Sequence, residues 1–220
     1  MPIEKSEMDP KRFVAASYDR IAERYLNWRA EQHAEGVRVW LSLLREYVSA
    51  GSDVLDLGCG AGVPLTRMLA KHFSTTGVDI SARQIELARG NVPNGRFIHG
   101  DVCNVDFPPA TFDAVVASYS FIHIPRAEHY PVFCKIVRWL RPAGVVLADF
   151  SIADREFNYA DDWLGVPMFW SSFDADGERA VLESAGFKLL IDRIDTEIED
   201  GRPHSLLLVV AKPKSVLQAE

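Results

Sequence analysis

The sequence predicts an α/β protein: a three-layer α/β/α sandwich on a mostly parallel seven-stranded sheet, with one antiparallel strand from a C-terminal hairpin. Two observations carry this expectation. Short apolar runs alternate with stretches of helical periodicity up to residue 150, and the chain closes with two strand-like runs around a turn. At 220 residues, with 48% hydrophobic and 25% charged side chains, it suits one sizeable core rather than two.

Taken in order, Val37, Trp40, Leu41, Leu44 and Val48 recur at helical spacing and stop at Gly51, which predicts a helix over about 31–49. Val54-Leu55-Asp56-Leu57 reads as a buried strand. It leads into Gly58-Cys59-Gly60-Ala61-Gly62 and a helix with Pro64 in its first turn, burying Leu65, Met68 and Leu69. Thr75 to Asp79 is a second strand, and Ser81-Ala82-Arg83-Gln84 has capping-box form for a helix reaching about Arg89. Arg96-Phe97-Ile98 supplies a third strand and Phe112 to Ser118 a fourth. Val132, Phe133, Ile136, Val137 and Leu140 line the next helix, which Arg141-Pro142-Ala143-Gly144 is expected to end. Val145 to Phe150 is apolar enough for a strand covered on both faces. Asp174 caps a last helix that Gly186 stops, and Lys188–Ile198 with Leu206–Lys212 flank the turn signal Glu199 to Pro203.

Charge and composition narrow the function. A net charge of −7 argues against a broad surface for phosphate backbones, so no nucleic-acid partner is expected. Met1 to Arg20 lacks a continuous apolar core, and Leu206 to Ala211 is too short to span a bilayer. A soluble cytoplasmic protein with no membrane partner is therefore expected. Cys59, Cys103 and Cys134 are isolated, and the six histidines show no metal-ligand spacing, so no metal is predicted.

In open α/β sheets ligands bind outside the carboxyl ends of the strands, where strand order reverses. The glycines after the first strand let a backbone approach a ligand at a helix N-terminus, although a tight turn or a nicotinamide dinucleotide would use them equally well. Asp56 tips the balance, because a carboxylate there repels a pyrophosphate and attracts the ammonium of an amino-acid-like ligand. Asp79, 21 residues beyond Gly58, is placed to accept two ribose hydroxyls, and Asp101 an adenine amino group.

These motifs together resemble the class I, Rossmann-like S-adenosylmethionine-dependent methyltransferases, small-molecule branch. Val54 to Gly62 is similar to the first family motif and Gly77-Val78-Asp79-Ile80-Ser81 to the second; Gly100-Asp101-Val102, Phe112 to Val116 and Leu140 to Gly144 follow in family order. The resemblance implies S-adenosylmethionine as cofactor and S-adenosylhomocysteine as product, without a metal. It implies cofactor contacts from Tyr18, Tyr25, Asp56, Gly58, Cys59, Gly60, Gly62, Asp79, Ile80, Gln84, Asp101, Val102 and Ser118. It also implies a single methyltransferase domain over 1–220, with an N-terminal helical lid (1–50), a cofactor half (51–151), and a substrate cover, last helix and hairpin (152–220).

For the acceptor, His123 and His33 are the candidate catalytic bases. Phe157, Tyr159, Trp163, Phe169, Trp170 and Phe173 fall within 17 residues on the ligand side. They suit a pocket for an apolar or aromatic small molecule accepting at O, N or C, a cage for an amine, or a homodimer contact. Tyr119, Phe121, His123, Trp163, Phe169, Trp170 and Phe173 are the expected substrate contacts. Ser118-Tyr119-Ser120-Phe121 lacks the Asn/Asp-Pro-Pro-aromatic motif of adenine methyltransferases. The alternatives are a protein or RNA methyltransferase and a non-catalytic S-adenosylmethionine-binding protein. A nicotinamide oxidoreductase is disfavoured by Val63 and by the lack of a Tyr-x-x-x-Lys pair.

Overall fold

Along the chain, α1 (Pro10–Gln32) and α2 (Ala34–Tyr47) precede β1 (Asp53–Leu57), α3 (Leu65–Leu69), β2 (Ser74–Asp79), α4 (Ala82–Asn91), β3 (Arg96–His99) and β4 (Phe112–Ala117). Then come α5 (His129–Trp139), β5 (Leu140–Ser151), β6 (Arg155–Trp163), β7 (Val166–Ser172), α6 (Ala175–Ser184), β8 (Phe187–Glu199) and β9 (Arg202–Pro213). This computed structural model describes residues 9–214 except His33 and Asp200, without the side chains of residues 30–37, 197, 199 and 202. No described helix is long and apolar enough to cross a membrane.

The main sheet has seven strands in the order β3-β2-β1-β4-β5-β9-β8. Strands β1 to β5 pair in parallel, and β9 runs antiparallel to both β5 and β8. The three-layer reading of the sequence is what the chain forms. Its physical cause is alternation along strands buried on both faces: Val54, Ala114 and Val116 pack with Trp40, Leu44 and Leu69 on one side, and Leu55, Val115 and Ala117 pack with Phe133, Ile136 and Trp139 on the other.

Local signals set the helix starts. Ser81 Oγ accepts the Gln84 N–H at 3.1 Å at the head of α4, and Asp174 Oδ1 accepts the Gly177 N–H at 2.8 Å at the head of α6. One boundary differs from expectation. Arg141 to Gly144 do not form a helix stop; α5 already ends at Trp139 and β5 begins at Leu140, paired with Phe112. The register then shifts, so that Ala114 faces Val145, and Arg141 bridges Asp113 at 2.6 Å and Asp53 at 2.9 Å.

The aromatic segment holds structure that the sequence reading left unassigned. It folds as the β6–β7 hairpin, a separate two-stranded sheet turning at Leu164-Gly165. Val166, Met168 and Phe169 of β7 bury against Val14, Tyr18 and Ile21 of α1. Thus α1 and the hairpin cover the same end of the sheet together, joined also by the Ser17 hydroxyl donating to the Pro167 carbonyl at 2.7 Å.

Candidate active site

Strand order reverses between β1 and β4, and the loops leaving those strands open a recess of about 980 Å3 under α1. Its wall brings together Tyr18 and Tyr25 of α1, Asp56 of β1, Gly58, Cys59 and Gly60 of the first loop, Asp79 and Ile80 after β2, Gln84 of α4, Asp101, Val102 and Ser118. Gly62 departs from the expected set. Its φ is +76°, and a Cβ there would stand 3.0 Å from Val92 and 3.4 Å from Ala88, so the missing side chain lets the loop pack on α4 rather than on a ligand.

A second recess of about 850 Å3 adjoins the first, and Tyr18, Tyr25, Tyr119 and His123 line both. Its remaining wall is largely aromatic and neutral, with Trp28, Trp163, Trp170, Asn158 and three serines, plus Arg155 and His204. Three expected substrate contacts lie elsewhere. Phe121 stacks on Phe133 at 4.6 Å in the core, and Phe169 is fully buried between α1 and the hairpin. Phe173 sits beneath the Arg126 guanidinium at 5.0 Å and edge-on to His129. His33 lies outside the described residues.

Two carboxylates that line the first recess, Asp56 and Asp79, are buried, as is Asp149 of β5 nearby. Burial pushes Asp56 up to about 7, against the opposing Thr66 hydroxyl that donates to it at 2.6 Å. Burial likewise pushes Asp79 up to about 6, although the N–H groups of Gly60 (2.9 Å) and Ser81 (2.8 Å) donate to its two oxygens. Asp149, near the end of β5, is pushed up to about 7 by burial and lowered by Arg29. It accepts the Tyr119 N–H at 2.6 Å and the Ser118 hydroxyl at 3.2 Å. That grip matters because Tyr119 has φ +54°, a left-handed conformation costing a residue with a Cβ about 1–2 kcal/mol.

Asp101 is already engaged. Cys103 N–H donates to one of its oxygens, while Asn104 (2.8 Å) and Lys11 (3.0 Å) share the other. His123 is held at both nitrogens: Nδ1–H donates to the Phe169 carbonyl at 2.8 Å, leaving Nε2 to accept the Tyr18 hydroxyl at 2.8 Å. Burial pushes this imidazole down to about 4 and the Tyr18 phenol well above its ordinary value.

Among the described residues, four buried side-chain polar atoms have no hydrogen-bond partner: Arg29 Nη1, Gln84 Nε2 and Oε1, and Ser120 Oγ. All three residues line the first recess. A buried unsatisfied group costs about 1–3 kcal/mol, so their clustering in one wall marks it as built for a polar ligand. No cluster of three or more metal-ligating side chains occurs among the described residues.

Sequence reasoning missed Arg29, Ser120, Asp149, Trp28, Arg155 and His204. Asp149 carried a local signal, a carboxylate inside the apolar run Val145 to Phe150. Arg29 carried none, since its burial comes from α1 lying across the sheet.

Residues 54–144 match the family model described as a methyltransferase domain. The chain is similar to the sterol 24-C-methyltransferase of Eremothecium gossypii, 27% identical over 178 residues, covering 72% of this chain and 46% of the relative. It is also similar to the 27-O-demethylrifamycin SV methyltransferase of Amycolatopsis mediterranei, 37% identical over 111 residues, covering 47% and 40%. The chain thus spans less than half the length of these two curated relatives. The fold is that of the magnesium protoporphyrin IX methyltransferase from Synechocystis PCC 6803, solved with bound S-adenosylhomocysteine, with a TM-score of 0.73 at 17% identity over 94% of this chain and all of that one.

Proposed function

We propose that the chain is a class I, Rossmann-like S-adenosylmethionine-dependent methyltransferase and that it methylates an apolar or aromatic small molecule. The observation that carries the acceptor half of this reading is the shared wall: a recess with unpaired polar atoms and an aromatic recess meet at Tyr18, Tyr25, Tyr119 and His123.

The donor fits the first recess by the chemistry of its wall. Asp79 keeps lone pairs free beyond the two N–H groups it accepts and would hold the ribose, with Ile80 on the adenine face. Gln84 and Ser120 offer the unpaired polar atoms described above, and Asp56 would face the ammonium. When bound, S-adenosylmethionine supplies an electrophilic methyl group. The chain's contribution is to orient an acceptor in the second recess and to exclude water beneath α1 and the β6–β7 hairpin, which suits an in-line displacement.

His123 takes a positioning role in this scheme. Its lone pair already receives the Tyr18 proton, and with its basicity pushed down to about 4 it stays neutral at physiological pH. Tyr18 is then the hydroxyl that His123 holds at the junction of the recesses. The second recess has no carboxylate among its lining residues and carries Arg155, which supports a neutral or anionic acceptor over an amine.

Calorimetry with S-adenosylhomocysteine and NADH, followed by a screen of phenols, indoles, quinones and amines with methyl-labelled S-adenosylmethionine, tests the proposal. Saturable S-adenosylhomocysteine binding and label transfer to a phenol, indole or quinone are expected. Binding of NADH alone would sink the donor assignment, and transfer only to a protein or RNA would sink the acceptor assignment.

A further inference from the structure

We propose that the second recess selects acceptors carrying a carboxylate beside an aromatic ring, with Arg155 as the residue that binds the acid. This deepens the reading of that recess as the acceptor site and rests on it.

The β6–β7 hairpin sets out its side chains in order along the recess. The turn end presents Trp163, the middle presents Trp170 opposite Asn158, and the open end presents Ser172 opposite Arg155. Arg155 and Asn158 are three residues apart, a spacing that puts side chains on opposite faces of a regular strand. The register shift between them removes that alternation, because three steps along β6 there match two along β7. Both side chains therefore reach the wall that Trp170 and Ser172 share.

The charges at the open end are sorted in the same way. Asp154 and Glu156 flank Arg155 in sequence, yet neither lines the recess and both engage Arg126. The Arg155 guanidinium forms no ion pair among the described residues. It is the one Lys or Arg among the described residues lining this recess, and no Asp or Glu stands with it.

The remaining donors also suit an anion. Ser151 Oγ accepts the Ala153 N–H at 3.2 Å, which leaves its proton free to donate. Ser172 and Ser171 instead donate to the carbonyls of Ala153 (2.5 Å) and Glu156 (2.7 Å), so they hold backbone in place. A guanidinium fork with a hydroxyl on the same wall matches a planar carboxylate. One permanent cation balances the single charge of that group and leaves a phosphate dianion half-neutralised.

The aromatic end fixes the other part of the ligand. Trp170 and Ser172 lie two residues apart on β7, about 7 Å along the strand, so a ring on Trp170 and an acid at Arg155 need only a short linker. Trp163 stands 5.8 Å from Tyr18, and Trp170 stands 6.2 Å from His123. A ring packed there turns its far edge to the wall shared with the first recess. The chain as a whole carries −7, which disfavours anions at long range, so a preference for acids has to arise from this end of the recess.

Calorimetry on the full chain with S-adenosylhomocysteine present compares acids with carboxamides of the same shape: 4-hydroxyphenylacetate, indole-3-acetate and indole-3-propionate, each against its amide. In at least one pair the acid should bind tighter by about tenfold or more. Arg155→Gln should bring that ratio within about twofold of one by weakening the acid alone, and Arg155→Lys, which keeps the charge and loses the fork, should retain part of it. The S-adenosylhomocysteine dissociation constant should stay within about twofold in both variants, as expected for substitutions at an exposed position. Amides that bind as well as the acids in every pair, or an acid preference that survives Arg155→Gln, would overturn the role of Arg155 and leave the aromatic acceptor standing. A protein that binds S-adenosylhomocysteine but no member of any pair would overturn the aromatic-acceptor reading and this proposal with it.

Discussion

The Tyr18 hydroxyl donates to Nε2 of His123 across 2.8 Å, at the wall that the two recesses share. The ring is locked from its other side by the Phe169 carbonyl, so the tautomer is settled by geometry. In Tyr18→Phe the imidazole nitrogen keeps its burial and loses its donor, which costs about 1–3 kcal/mol. Melting temperature should fall accordingly, and turnover should fall by tenfold or more with S-adenosylhomocysteine affinity changed less. Because burial pushes His123 down to about 4, the wild-type pH–rate profile should show no inflection near 6.5 from this ring. An inflection there that disappears in His123→Ala would restore the histidine as the acting base.

Asp79 both shapes the first loop and faces the ligand. Its oxygens receive the N–H groups of Gly60 and Ser81, and it would receive the ribose hydroxyls as well. Asp79→Asn should weaken S-adenosylhomocysteine by about 10- to 100-fold, the equivalent of losing charge-assisted hydrogen bonds. An unchanged dissociation constant would show that the ribose lies elsewhere.

The buried pair His129–Glu178 acts at one remove from the site. Nδ1 of His129 stands 2.9 Å from Glu178, and Nε2 stands 3.2 Å from the carbonyls of both Phe121 and Ile124, the turn that carries His123. Both side chains are essentially excluded from water. Glu178→Ala leaves the histidine without its partner at a cost of about 3–5 kcal/mol, or roughly a 10 °C drop in melting temperature for a chain of this size. Glu86→Ala, on the exposed face of α4, should change stability by less than about 0.5 kcal/mol and serves as the control.

What the sequence revealed, and what it hid, follows from the range of each interaction. Strand β1 and the loop at Gly58 to Gly62 were legible because their signals are local: a short apolar run, then residues that only a tight turn needs. Asp79 was legible from its distance along the chain. The β6–β7 hairpin was not, since Phe157, Tyr159, Trp163, Phe169 and Trp170 are apolar whichever face they take, and their alternation carries no contrast. The same blur made Phe169 and Phe173 look like pocket residues, when α1 and Arg126 cover them. Arg29 was illegible because a charged residue in a helix is normally solvated, and only the docking of α1 across the sheet buries it.

Trp163 and Trp170 separate acceptor from donor. Their rings meet edge-to-face at 6.0 Å, and both line the second recess but not the first. Trp170→Ala should raise KM for the acceptor by tenfold or more while leaving the S-adenosylhomocysteine dissociation constant within about twofold. Phe157→Ala, at a ring 63% exposed and outside both recesses, should leave the acceptor KM unchanged. Equal effects of the two substitutions would mean that the aromatic segment serves packing alone.

Asp56 gives the pH dependence its sign. Held at about 7 by burial, it keeps its proton through a range where an unfolded aspartate, near 3.8, has lost it. The folded state therefore binds the extra proton, and the stability this group contributes is present in acid and lost as pH rises from about 4 to about 7. Ligand binding runs the other way, because an ammonium requires the ionised carboxylate. S-adenosylhomocysteine affinity should rise by up to about tenfold per pH unit approaching 7 and level off above it. Asp56→Asn keeps an acceptor for the Thr66 hydroxyl while removing the buried charge. It should raise the melting temperature of the ligand-free protein at pH 8, weaken S-adenosylhomocysteine, and lessen the slope of both pH profiles, leaving the part that Asp79 and Asp149 contribute. A variant that binds S-adenosylhomocysteine with the wild-type pH dependence would take Asp56 out of ammonium recognition.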